Sequence, residues 1–197
     1  MIRPKCKTLN PCKYRVPLYG ECGYQGFCQY KTNGRKNMKE YTVRVYDSKT
    51  EWYLNNKLHR EGGLPAIEWA NGDKSWYMND KLHRVDGPAI ECANGNKHWW
   101  LNNKRHRTDG PAVEYIGNHK EWFICGKLHR TDGPAMIWSD GTKFWYIKGI
   151  LHRIDGPAIE RLNGHNEWYI EGKQYTEQEF NDQKLKQRLI PPEMWEI

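Results

Sequence analysis

Two sets of residues in this 197-residue chain have types and spacing that could do chemistry. The first is Cys6, Cys12, Cys22 and Cys28, spaced C-x5-C-x9-C-x5-C. Four thiolates can enclose a structural zinc ion tetrahedrally, which leaves no open position for catalysis. The gaps are wider than the short knuckles usual in zinc sites, so two disulfides or free thiols remain open readings. The second set is a recurring His-Arg pair: His59-Arg60, His83-Arg84, His106-Arg107, His129-Arg130 and His152-Arg153. In four copies an aspartate follows the arginine by two residues (Asp86, Asp109, Asp132, Asp155) and opens an Asp-Gly-Pro-Ala run. Imidazole, guanidinium and carboxylate are the groups of a general acid–base or metal site.

Their repetition argues against that use. The histidines recur at steps of 24, 23, 23 and 23 residues, whereas an active site is normally unique and built from unlike residues converging on one pocket. Near-identical copies one repeat apart are what a structural ladder produces. The aspartates are expected to hold the Gly-Pro turns, and the arginines to pair with carboxylates of their own or the next repeat.

The elements that must position these residues follow from the same period. A tryptophan and a second aromatic residue recur at Trp52, Trp76, Trp99, Trp122, Trp145 and Trp168 (Trp100 is itself the second aromatic of its pair). A fixed period in the twenties marks a repeat architecture. Each repeat holds a hairpin signal, Asn71-Gly72, Asn94-Gly95, Asp140-Gly141 or Asn163-Gly164, inverted to Gly117-Asn118 in one copy. Read as two-residue type I′ turns, these pairs place Ile67, Ile90, Val113, Met136 and Ile159 opposite Trp76, Trp99, Trp122, Trp145 and Trp168. The same register sets Glu114 against Glu121 and Glu160 against Glu167, which is unfavourable for like charges. Second turns are expected at Asn79-Asp80, Asn102-Asn103, Cys125-Gly126, Lys148-Gly149 and Glu171-Gly172. Two strands per repeat advance the array by about 9.6 Å.

The expected fold is therefore mainly β: an elongated, single-layer twisted antiparallel sheet over 41–175, with a Cys-rich module at 1–40 and a C-terminal cap over 176–197. In the cap, Thr176 and Glu179 form a capping box, with Tyr175 and Phe180 at the staple positions. A helix is predicted from about Glu177 to Ile190, before Pro191-Pro192, with Phe180, Leu185 and Leu189 covering the last strand.

Composition suits a thin, ring-rich body. Aromatic residues reach 13% with ten tryptophans, against a mean hydropathy of −0.98, and a disordered chain is poor in aromatics. The net charge of +7 is local: residues 1–40 hold nine Lys and Arg against Glu21 and Glu40, and the remainder balances at 22 of each sign. Lys5, Lys7, Lys13, Arg15, Arg35 and Lys36, interleaved with tyrosines, make nucleic-acid contact through 1–40 one reading, with a solvated face around a small aromatic core as the other. No apolar run approaches the roughly 18 residues of a membrane span, and the first residues lack the apolar core of a signal peptide. An intracellular, cytoplasmic location is the expectation.

The unit W-Y-x-x-G-K-x-H-R-x-D-G-P-A-x-E resembles the MORN-variant repeats of bacterial, phage and giant-virus proteins, over about residues 41–175. The resemblance implies a binding or scaffolding module rather than an enzyme, and a phage or viral protein that engages or inhibits a host (defence) protein in the host cytoplasm. Trp76, Trp99, Trp100, Trp122, Trp145, His83, His106 and His129 are the residues expected to be displayed to such a protein partner. Nucleic-acid binding through the head and a role as a virion or assembly scaffold are the alternatives.

Overall fold

The computed structural model describes residues 40–182, and the backbone pairing of 27–30. The chain is a long, open antiparallel sheet. β1 (Phe27–Tyr30), β2 (Tyr41–Val45) and β3 (Lys49–Leu54) start it. It then proceeds through paired short strands, one pair per repeat: Ile67–Trp69 with Lys74–Ser75, Ile90–Glu91 with Lys97–His98, Val113–Glu114 with Lys120–Glu121, and Met136–Ile137 with Lys143–Phe144. Ile159–Glu160 is the last strand of this ladder. β1 falls inside the 1–40 segment, with Cys28 level with Val43 of β2, so the sheet begins before residue 41. Cys6, Cys12, Cys22, Lys5, Lys7, Lys13, Arg15, Arg35 and Lys36 lie outside the described residues, as do Leu185 and Leu189.

The register differs by one residue from that expected. Ile67 pairs with Ser75, Ile90 with His98, Val113 with Glu121, Met136 with Phe144, and Ile159 with Glu167. The cause lies in the turns. The Trp69 N–H donates to the Asp73 carbonyl at 2.9 Å and the Gly72 N–H returns to the Trp69 carbonyl at 3.0 Å, so the loop has three residues, Ala70, Asn71 and Gly72. Only its third residue is left-handed (Gly72, φ 94°), as in a type I turn closed by a glycine bulge. Asn71 instead accepts the Asp73 N–H with its side chain at 3.0 Å. In the inverted copy Asn118 takes the left-handed place, at φ 63°, which asparagine tolerates. The true type I′ turns are the second ones, where both residues are left-handed: Asn79 and Asp80 at φ 51° and 65°, Cys125 and Gly126 at 50° and 82°.

The shift removes the opposed glutamates. Glu114 now pairs with Lys120 on one side and Lys97 on the other. The row runs Glu68, Lys74, Glu91, Lys97, Glu114, Lys120, alternating in sign from strand to strand. Opposite charges directly across a ladder contribute roughly 0.2–1 kcal/mol each.

Each repeat is bent at its tryptophan. The Trp76, Trp99, Trp122 and Trp145 N–H groups leave their own hairpins and donate at 2.8 Å to Ala89, Ala112, Ala135 and Ala158 of the following ladder strand. Beyond the bend, small hairpins such as Trp100–Leu101 with Lys104–Arg105 stack on one another through several bonds, among them Asn103 N–H to Leu82 O at 3.0 Å, Arg84 N–H to Trp100 O at 3.1 Å and Gly126 N–H to Arg105 O at 2.8 Å. The five motif alanines (Ala66, Ala89, Ala112, Ala135, Ala158) are 0% exposed, because only a methyl group fits where successive bends meet. The core is this column together with Val43, Leu54, Ile67, Trp76, Val113, Ile159, Ile170 and Phe180.

At the C-terminal end α1 spans Glu177–Asn181 with both halves of the capping box made: the Glu179 N–H donates to Thr176 Oγ1 at 3.2 Å and the Thr176 N–H to Glu179 Oε2 at 2.8 Å. Phe180 is buried and α1 packs on the last hairpin. α1 closes at Asp182, which is extended, where Asn181 and Asp182 are weak helix formers; the predicted continuation to Ile190 lies outside the described residues.

Candidate functional site

The repeated His-Arg-x-Asp-Gly-Pro motif forms a staple. Arg107 lies flat over Trp99, its guanidinium carbon 4.0 Å from the ring centroid. Its Nε–H donates to Asp109 at 2.9 Å, and its Nη1 to the Pro111 carbonyl at 3.1 Å and to Glu114 at 2.8 Å. Arg84 on Trp76, Arg130 on Trp122 and Arg153 on Trp145 repeat the stack at 4.0, 4.2 and 4.0 Å. Arg60 covers Trp52 at 3.8 Å but bonds Glu68 and the Pro65 carbonyl, its motif lacking the aspartate. The arginine hydrogen bond draws the carboxyls of Asp86, Asp109 and Asp132 below the usual range. The motif glycine is there for space: a Cβ on Gly110 would lie 2.9 Å from the Arg107 Cζ, and one on Gly87 3.0 Å from that of Arg84.

The histidines latch one repeat to the next. Nδ1 of His59, His83, His106, His129 and His152 accepts the N–H of Asn79, Asn102, Cys125, Lys148 and Glu171, the first residue of the next type I′ turn, at 3.0–3.3 Å. Only an imidazole with a free Nδ1 lone pair can do this. The Cys125 thiol also sits 3.7 Å from His106 Nδ1, but that lone pair already holds the backbone N–H.

None of the residues expected on display is exposed. Trp76 and His129 are buried, and Trp99, Trp100, Trp122, Trp145, His83 and His106 are half-buried. Trp76, Trp99, Trp122 and Trp145 lie under arginines, and the imidazoles are turned onto backbone amides. The bend at each tryptophan, invisible in the period, folds both rows inward.

A pH dependence follows from the latch. Burial lowers the affinity of His129 and His152 for a proton, with Lys148 adding to the effect at His129 and Glu171 opposing it at His152. A histidine depressed below 6.5 contributes stability that is complete above the unfolded value and is lost as pH falls toward the folded value. The melting temperature is therefore expected to fall between about pH 6.5 and 5, by roughly 2–4 °C per kcal/mol lost. That loss precedes titration of Asp86, Asp109 and Asp132, whose carboxyls the arginine hydrogen bond holds below the ordinary range. A melting temperature constant from pH 7 to 5 would contradict the latch.

One residue of the third copy breaks a position that is otherwise constant. The position before the histidine is leucine in the other copies (Leu58, Leu82, Leu128, Leu151), and Arg105 in the third. Successive repeats place Glu51, Ser75, His98, Glu121, Phe144 and Glu167 at one ladder position, so a glutamate there is shared by three copies, and it is the arginine beside it that is peculiar to the third. Arg105 Nη1 meets Glu121 Oε2 at 3.1 Å, and His119 Nε2 lies 2.8 Å from Glu121 Oε1. The Glu121 side chain is only 13% exposed. Tyr115 stands edge-on to both His98 and His119, with centroids 5.5 and 5.1 Å apart, and Arg105 packs beside Trp100 and Phe123. Burial lowers the proton affinity of His98, helped by Arg105.

Two donors in this cluster, the Trp100 indole N–H and the Arg105 Nε–H, are buried without an acceptor among the described residues. Each such group costs about 1–3 kcal/mol, so the cluster is not arranged for stability alone. Carboxylate, guanidinium, imidazole and phenol fixed beside aromatic rings are groups suited to recognition. Arg105 escapes a reading that seeks what recurs; aligning the repeats marks it as the exception to leucine, and its contacts lead to Glu121 and the rest. Among the described residues no group of three or more His, Cys, Asp or Glu side chains is placed to hold a metal ion, and no helix is long and apolar enough to cross a membrane. Comparison of the chain with protein-family models, curated proteins and solved structures gives no match.

Proposed function

We propose that the chain is a non-enzymatic, MORN-like repeat scaffold that binds a protein partner, and that Arg105, Glu121, His119, Tyr115 and Trp100 are the centre of the contact. The observation that carries this reading is that Arg105 replaces the repeat's leucine and joins Glu121, His119 and two aromatic rings in a connected cluster, while the residues of the repeated motif are engaged inside the array. The resemblance to phage and giant-virus repeats favours a host protein as partner, with inhibition as the outcome. The test is capture of a partner from host lysate by the full chain and by a variant in which the repeat's leucine replaces Arg105 and its carboxylate partner is removed, Arg105→Leu with Glu121→Ser. A stoichiometric partner lost from the variant supports the reading; no partner, or equal capture by both, opposes it.

The charge of 1–40 supports a second reading, nucleic-acid binding through that segment, with its four cysteines held by zinc. Binding of that kind weakens steeply with salt and would be untouched by the Arg105→Leu and Glu121→Ser changes.

A further inference from the structure

Five of the six row tryptophans carry an arginine eight residues downstream, and the sixth does not. Trp168 has Thr176 at that place, and Thr176 is committed to capping α1. The ladder stops at the same point: internal strands such as Lys97–His98 pair on both sides, while Glu167 pairs on one side only among the described residues, with Ile159. A cavity of about 430 Å³ opens there, lined by Asn166, Glu167, Trp168, Thr176, Glu177 and Glu179 among others. Glu167 is held by Arg161, and Glu179 by the capping box. Glu177 is exposed and has no partner among the described residues.

The array itself shows five times what covers such a place: an extended segment along the ladder edge and a guanidinium lying on the tryptophan beside a carboxylate. We infer that the C-terminal end of the array is a docking edge for an extended, arginine-bearing segment of a protein partner, which pairs along the outer side of Asn166–Trp168, where Glu167 itself is bonded inward to Ile159, and seats its guanidinium between Trp168 and Glu177. Backbone pairing supplies affinity in such strand addition and the side-chain slot supplies specificity. Planar stacking with a carboxylate contact favours arginine over lysine.

The test uses the full chain and a dye-labelled peptide, acetyl-Thr-Val-Arg-Val-Thr-amide, read by fluorescence polarisation. Binding is expected, weakened at least about tenfold when the peptide arginine is replaced by alanine, and similarly weakened by Glu177→Lys, an exposed change that leaves the melting temperature in place. Trp168→Ala should abolish binding, and Glu177→Lys keeps the test decisive if that variant fails to fold. The Arg105→Leu, Glu121→Ser variant should bind the peptide as the parent does, which separates this slot from the central cluster. Absence of binding at about 1 mM peptide, indifference to the peptide arginine or to Glu177→Lys, or end-to-end pairing of two copies by light scattering would overturn the proposal.

Discussion

Replacing Arg107 with alanine is expected to lower the unfolding free energy by about 3 kcal/mol, from a stack worth about 1–2 kcal/mol and charged hydrogen bonds worth about 1.5–3 kcal/mol together with them. The side chain bridges Trp99, Asp109, the Pro111 carbonyl and Glu114, and its removal leaves Trp99 uncovered and Glu114 without its closest cation. Arg107→Lys should recover less than half of the loss, since a point charge cannot serve three acceptors and a ring at once. Gly110→Ala should imitate part of the defect with the arginine still present, because the new methyl group would meet the guanidinium at 2.9 Å. Denaturant unfolding measures all three. In a stacked array each repeat touches only its neighbours, so a midpoint for Arg107→Ala equal to the parent's would mean that the staple is ornamental.

Ala112→Leu is expected to cost a comparable amount, about 3 kcal/mol, at the upper end of overpacking. Ala112 is 0% exposed, donates its N–H to the Glu121 carbonyl at 2.8 Å, and accepts the Trp99 N–H at 2.8 Å. Three extra carbons there must push apart two consecutive bends, and both bonds are in the way. Val85, 84% exposed in the turn of the neighbouring motif, is the control: Val85→Leu should change stability by no more than about 0.5 kcal/mol. Equal midpoints for the two variants would refute the alanine column as the place where repeats meet.

Much of this was legible in the residues, and the failures have physical causes. The period, the second turns, the capping box and the pairing of Arg with carboxylates follow from spacing and side-chain chemistry, and the structure has them. The register was displaced by one because Asn-Gly suits both a two-residue type I′ loop and a three-residue loop with a glycine bulge. Two signs pointed to the second: the Gly117-Asn118 inversion, which needs a left-handed residue only at the last place, and the Glu114–Glu121 opposition that the first required. Exposure of the tryptophans and histidines was misjudged because alternation along a straight strand cannot show a bend at each Trp. The central cluster was overlooked for a different reason. Arg105 and Glu121 are ordinary surface residue types, and only the departure of Arg105 from the repeat's leucine marks the place.

The account divides the array: the repeated residues hold it together, and the exceptions act. Thermal unfolding and partner capture, measured side by side on the Arg105→Leu, Glu121→Ser variant, test that division most directly. The expected result is a melting temperature equal to or above the parent's, since a half-buried ion pair and a buried unsatisfied donor give way to the repeat's own packing, together with loss of the partner. A variant that melts earlier yet still captures the partner would show that Arg105 and Glu121 serve the fold and that recognition lies elsewhere.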